Sequence, residues 1–142
     1  MTIGITAART IIGGAEAHGK SHGLQPLAVV VLDAGGHLRA AERADGASNM
    51  RFEIARAKAF GAIALGMDSR ALMERAEQQP YFVISAGAAI GGALVPVPGG
   101  VLVRDGDGSV IGAVGVSGDS SDNDEAAAIA GIEAAGLIGP AP

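Results

Sequence analysis

The sequence contains no cysteine, which excludes disulfides, thiol nucleophiles and cysteine-ligated metals and leaves the redox compartment unspecified. It is nearly as poor in aromatics, with no tryptophan, one tyrosine and three phenylalanines. The net charge is −5 and no basic stripe interrupts it. A nucleic-acid surface needs flat rings for stacking and cations for phosphates, so nucleic acid is not an expected partner. Apolar runs are broken by glycine or charge well before membrane-spanning length, and the sequence predicts no transmembrane helix and no membrane partner. Met1 to Thr10 hold no basic region followed by an apolar run, so the expectation is no export signal and a cytoplasmic location.

What remains is small and aliphatic. Hydrophobic residues make up 49% of 142 positions while aromatics make up 3%, and glycine alone takes 23. A chain of this length forms one domain, residues 1–142, and buries roughly two-thirds of the surface its unfolded form exposes. Its core has to come from Ala, Val, Ile and Leu, which favours close approach of backbones.

Thr6 stands as the N-cap of a first helix with Ile11, Ala15 and His18 on one face, ended by Gly19 and Gly23. Pro26 to Leu32 is almost continuously apolar, Asp33-Ala34-Gly35-Gly36 reads as a turn, and His37 to Arg43 has mixed polarity. That pattern predicts a hairpin whose first strand is buried and whose second lies nearer an edge. Asp45-Gly46-Ala47-Ser48 leads into a long helix over about Asn49 to Leu65, with Phe52, Ala55, Ala59 and Ile63 as its apolar stripe and Arg51 and Lys58 projecting together elsewhere. A shorter helix capped by Asp68 or Ser69 stops before Pro80, and Tyr81 to Ser85 is expected as a short strand or irregular segment.

Val101 to Arg104 and Val110 to Val116, joined by Asp105-Gly106-Asp107-Gly108, predict a second hairpin, because that turn needs residues that accept positive φ. Gly112 and Gly115 weaken its second strand, so something should lie close to the backbone there: a helix, a partner chain or a flat ligand. Ser121 or Asp122 is placed to cap the last helix, Asp122 and Glu125 having capping-box spacing. Helix, hairpin, two helices, hairpin, helix is an α+β order: one antiparallel sheet with helices on its faces.

Asp33-Ala34-Gly35-Gly36, Arg43-x-Asp45-Gly46-Ala47, Ala57-Lys58-Ala59, Pro98-Gly99-Gly100, the run Ile111 to Gly118 and Asp124-Glu125 before an Ala-rich helix follow one another in the order that characterises the GlcG/HbpS or haem-degrading-domain family. The chain resembles that family over nearly its whole length, and it is similar to the C-terminal domain of PduO-type proteins. The resemblance implies a five-stranded antiparallel sheet in a profilin-like α-β-α sandwich, and homo-oligomers. It also implies haem as a cofactor in several members, with some degrading haem or binding iron. The resemblance also implies that some members place haem near the end of the first helix, one using a histidine there as iron ligand; the matching region here holds His18 and His22.

The candidate site residues follow from these motifs. His18 can ligate iron, or it can be a half-buried histidine favoured near a helix C-terminus; His22 joins it as a second metal candidate. Arg43 and Lys58 can meet a propionate or the carboxylate of a small acid, Arg through a two-pronged contact and Lys as a point charge. Gly99 and Gly100 can bring backbone N–H groups towards an anion, and Gly112 with Gly115 leaves room for a flat ring. Asp45 suits a cap or turn. Asp119, Asp122, Asp124 and Glu125 form an acidic cluster that fits a hard cation or, more simply, a helix start. Three function classes stay open: a homo-oligomeric haem binder, an enzyme or accessory protein of small-molecule catabolism that binds an organic acid, and a structural assembly module.

Overall fold

The structure, a computed structural model, describes residues 1–140. Helix α1 (Ile5–Ser21) buries Ala8, Ile11, Ile12, Ala15 and Gly19, one face at 3.6-residue spacing. It starts two residues earlier than Thr6 would set it: Gly4 is the cap, and the Thr6 carbonyl accepts the Thr10 hydroxyl within the helix. Strands β1 (Ala28–Asp33) and β2 (Leu38–Arg43) form the first hairpin, with β1 buried and β2 at the sheet edge. Then come α2 (Met50–Leu65), α3 (Ser69–Gln78) and α4 (Pro80–Ala89). Helix α4 occupies the segment expected as strand or irregular chain. Pro80 supplies the preset φ of a first helical residue, and small residues from Ser85 to Ala89 let the turn propagate without β pairing partners. Strands β3 (Gly100–Arg104) and β4 (Val110–Ser117) make the second hairpin, and α5 (Ser121–Ala134) closes the chain.

The sheet order is β2-β1-β4-β3, every neighbour antiparallel. Among the described residues it has four strands where the family resemblance implied five. Beside the β3 edge only a single bridge forms, Arg104 with Ile138, because the chain has three residues to lay along the edge between Gly136, at φ +69°, and Pro140, which has no N–H to donate.

Period-2 alternation divides the core into two layers. Val29 and Val31 of β1, Val101 and Val103 of β3, and Val114 and Val116 of β4 pack with Ile3, Ile11, Ile12 and Ile132 under α1 and α5. Ala28, Val30, Leu32, Leu102 and Ala113 face Ala55, Ala59 and Ala62 of α2, with Phe52 and Ile63 at the margin as the sequence stripe predicts. The α2 layer is thin. A Cβ at Gly115 would collide with the Ala55 carbonyl, and one at Gly100 with the Lys58 carbonyl. Of the three occupants that the strand glycines allowed, a helix is what lies against Gly115, while Gly112 abuts the Leu32 carbonyl and Ile3. Glycine also brings α1 and α5 together: a Cβ at Gly131 would strike the Ile11 carbonyl.

Candidate functional site

Two places concentrate the chemistry-bearing side chains: the seam where α2 crosses the end of β4 and the start of α5, and the C-terminus of α1. In the seam, Lys58 is 2% exposed and donates to the Val116 carbonyl at 3.0 Å and to Asp124 Oδ2 at 3.1 Å. Asp124, in the first turn of α5 and 1% exposed, accepts the Asp119 N–H on Oδ1 at 2.9 Å. Burial pushes Lys58 below the usual lysine range and Asp124 above the usual carboxylate range, although their mutual attraction works against both shifts. The pair ties α2 to α5 across the sheet end, and no oxygen of an incoming ligand can reach the Lys58 ammonium without displacing it.

Arg51, two turns before Lys58 on the same side of α2, is different. It is half-buried, its Nη1 donates to Ser117 Oγ at 3.1 Å, and among the described residues no carboxylate lies within ion-pairing distance of it. It opens on a cleft of about 280 Å³ whose other walls are Gln25, Pro26, Gly46, Ala47, Ser48 and Gly118. Ser117 itself is fully buried at the end of β4. From sequence, Arg51 stands beside Lys58 on α2, yet Arg43 and Lys58 are the expected ligand contacts; spacing on a helix shows that two cations share a side, not which one is open.

The other named residues are held as follows. Arg43, exposed on edge strand β2, donates through Nη1 to the Ala47 carbonyl and so braces the turn that carries Asp45 and Gly46. Asp45 is exposed and does not cap α2, whose N-cap position is Asn49 with no side-chain cap. The Gly100 N–H is taken by Ser69 Oγ at 2.7 Å and the Gly99 carbonyl by the Val116 N–H at 2.9 Å, with Gly99 at φ +127° beside the Lys58 side chain. Thus the structure brings Lys58, Gly99, Gly100 and Gly115 together as a packing unit, and leaves Arg43 and both histidines elsewhere.

The acidic cluster at the start of α5 disperses. Ser120 is the cap, accepting from the Asn123 N–H at 3.2 Å, in place of Ser121 or Asp122. Asp119 accepts from the Gln25 and Ser120 N–H groups and from Asn123; Asp122 and Glu125 both hold Arg70; Asp124 holds Lys58. Among the described residues no three His, Asp or Glu side chains converge on a common metal position.

At the end of α1 the rings of His18 and His22 stack, 3.9 Å between centroids and 19° between planes. His22 Nδ1 lies 2.9 Å from the His18 carbonyl. Ser21 Oγ lies 3.0 Å from the same nitrogen, so Nδ1 is engaged by the end of α1 while Nε2 has no protein hydrogen-bond partner among the described residues. Desolvation by burial, with the neighbouring His22 as a second cause, lowers the His18 pKa and so favours its neutral ring. A neutral imidazole with one nitrogen anchored to backbone is the donor type that haem iron accepts.

Residues 3–133 match the profile of a family described as haem-degrading protein HbpS-like. Among solved structures, a complex of PduOC with haem superposes with TM-score 0.86 at 24% identity, covering 97% of this chain and 98% of that one. At that identity the likeness concerns fold. A double mutant of Streptomyces reticuli HbpS gives TM-score 0.80 at 26% identity over 94% of this chain and 86% of its own. The Klebsiella pneumoniae protein ORFY gives 0.83 at 25% over 96% and 92%. No curated protein sequence matches the chain.

Proposed function

The chain belongs to the family of the haem-degrading protein HbpS, and from that premise we propose that it is a small haem-binding protein that works as a homo-oligomer, with the α1 C-terminal histidines as iron ligands. The observation that carries the reading is the anchored His22 ring: Nδ1 is engaged by the His18 carbonyl and the Ser21 hydroxyl, and Nε2, with no protein partner among the described residues, is left on an exposed ring. His18, stacked beneath it, is the alternative ligand from the same turn. Haem supplies the iron and a broad apolar ring; the chain supplies the imidazole and its orientation.

The clefts at Arg51 and at the end of α1 are lined by neither histidine. A ring ligated by either histidine therefore has no cleft wall beside its ligand and keeps one face open on a single chain, and a second copy is the natural cover. Exposed apolar side chains are available for such contacts, notably Tyr81 and Ile84 of α4, at 68% and 74% exposure. Haem binding joined to self-association is thus the function class that the site and the fold support together.

The test is a haem titration followed by absorbance on wild type, His18→Ala and His22→Ala, with size-exclusion chromatography of the loaded protein. Saturable binding with a shifted Soret band, altered in His22→Ala more than in His18→Ala, is expected. Only non-saturable association in wild type would sink the haem reading. An unchanged band in both variants would move the ligand away from α1.

A further inference from the structure

Arg51 is a cation held in place with most of its donors unused. A guanidinium offers five N–H donors, and here one bond, to the buried Ser117 hydroxyl, fixes its position. Most other partly buried or stacked cations have a protein partner: Lys58 has Asp124, Arg70 has Asp122 and Glu125, and Arg56 and Arg75 lie over Phe60 and Phe82, while Arg104 lies on β3, away from this cleft. The cleft in front of Arg51, about 280 Å³, has no acidic side chain in its walls. Asp119 is the nearest carboxylate in sequence to Gly118, and its oxygens are already engaged by the Gln25 N–H, the Ser120 N–H and Asn123. Behind Arg51, the Lys58 charge is matched by Asp124, so the seam places no uncompensated negative charge against the cleft.

We propose that this cleft is a carboxylate-binding site in which the Arg51 guanidinium grips the ligand's two oxygens, with Ser117 holding the arginine and the 46–48 turn and Gly118 forming the walls. The two-pronged Arg–carboxylate contact is geometrically specific, and a cleft larger than the roughly 150 Å³ that accommodates benzene admits a carboxylate with a short apolar or hydroxylated body. The same chemistry can come from a free small monocarboxylic acid or from the propionate of a haem. The free-acid case is independent of the haem reading above.

Sodium propionate titrated into ¹⁵N-labelled protein, at constant ionic strength maintained with chloride, reads the first source. Haem and haem dimethyl ester, titrated into wild type and Arg51→Gln, read the second. Saturable shifts at Gly46, Ala47, Ser48, Gly118 and the Arg51 side chain, absent with chloride, support the site with a free acid as occupant, and Arg51→Gln should weaken them about tenfold or more. Without those shifts, a haem affinity that exceeds that of the ester in wild type and falls to it in Arg51→Gln supports the site with a propionate as occupant. If propionate does no more than chloride, and haem either fails to bind or binds no better than its ester, the proposal is overturned. Propionate binding without haem binding would refute the haem reading and leave this one standing. The wild-type propionate and chloride comparison decides the free-acid case even if Arg51→Gln unfolds, and Arg51→Lys, which keeps the charge and loses the fork, should bind propionate more weakly than wild type.

Discussion

Replacing Asp124 by Asn puts two donors face to face in a place shut off from solvent, Lys58 being 2% and Asp124 1% exposed. Oδ1 still accepts the Asp119 N–H, so the new amide nitrogen takes the position of Oδ2 and points at the Lys58 ammonium. Lys58 then keeps one neutral acceptor, the Val116 carbonyl, at 2% exposure. Removing one member of a buried ion pair costs about 3–5 kcal/mol, a large share of the ~5–15 kcal/mol that holds a domain folded. At about 2–4 °C per kcal/mol for a chain near this size, the melting temperature should fall by roughly 6–20 °C, read by far-UV circular dichroism because there is no tryptophan.

The loss should also depend on pH, with a determinate sign. Burial already lowers the Lys58 pKa in the wild type, and without Asp124 it falls further. Between that folded value and the ordinary lysine pKa near ~10.4, the unfolded chain binds the proton and the folded chain does not, so stability rises with pH. Asp124→Asn should therefore regain stability relative to wild type as pH climbs from about 7 towards 10. Lys58→Met added to Asp124→Asn should recover much of the loss at neutral pH, since a methionine needs no counter-charge. A cost below about 1 kcal/mol for Asp124→Asn, or no relative recovery at high pH, would refute the account of the pair.

Gly115→Ala should destabilise by about 1–3 kcal/mol or more in urea denaturation, because its Cβ meets the Ala55 carbonyl and either α2 or β4 must move. Gly13→Ala, in the exposed interior of α1 with nothing within 4 Å of the added methyl, should stabilise by about 0.5–1 kcal/mol in the same assay. Burial, then the Glu42 charge, raises the Glu16 pKa, and its buried Oε1 has no hydrogen-bond partner. An acid with a raised folded pKa contributes a penalty above its unfolded pKa of about 4.3 that disappears below it. Glu16→Gln should therefore raise the melting temperature at pH 7 and lose that advantage towards pH 4. Ile84→Lys, on the exposed face of α4, should shift the protein to a smaller species on size-exclusion chromatography while its circular dichroism stays unchanged.

The elements were legible in the sequence wherever a periodic pattern stood between turn residues. The two hairpins, the α2 stripe and the α+β class depend on local alternation and on Asp-Gly chemistry, and the glycines of β4 announced a close neighbour before it was known to be α2. Local signals failed where two structures share a composition: Tyr81 to Ser85 is as apolar as a strand, and Pro80 at a helix start was what decided it. The fifth strand came from family likeness and not from residues, and Pro140 leaves too short a segment to form one.

The site was less legible, because burial is a property of the whole fold. Lys58 and Arg51 look alike as cations seven residues apart on one helix. Only the arrival of α5, with Asp124 in its first turn, makes one of them an internal strut, while the end of β4 and the 46–48 turn leave the other facing a cleft. Likewise, four carboxylates within seven residues resemble a cation site until Lys58, Arg70 and the groups around Asp119 are seen to engage them all. What the sequence alone determined was the kind of core, small and aliphatic, and therefore the close backbone packing. Which charges that packing enclosed and which it left open was decided by contacts between segments more than fifty residues apart, over a separation on which no local pattern in the chain reports.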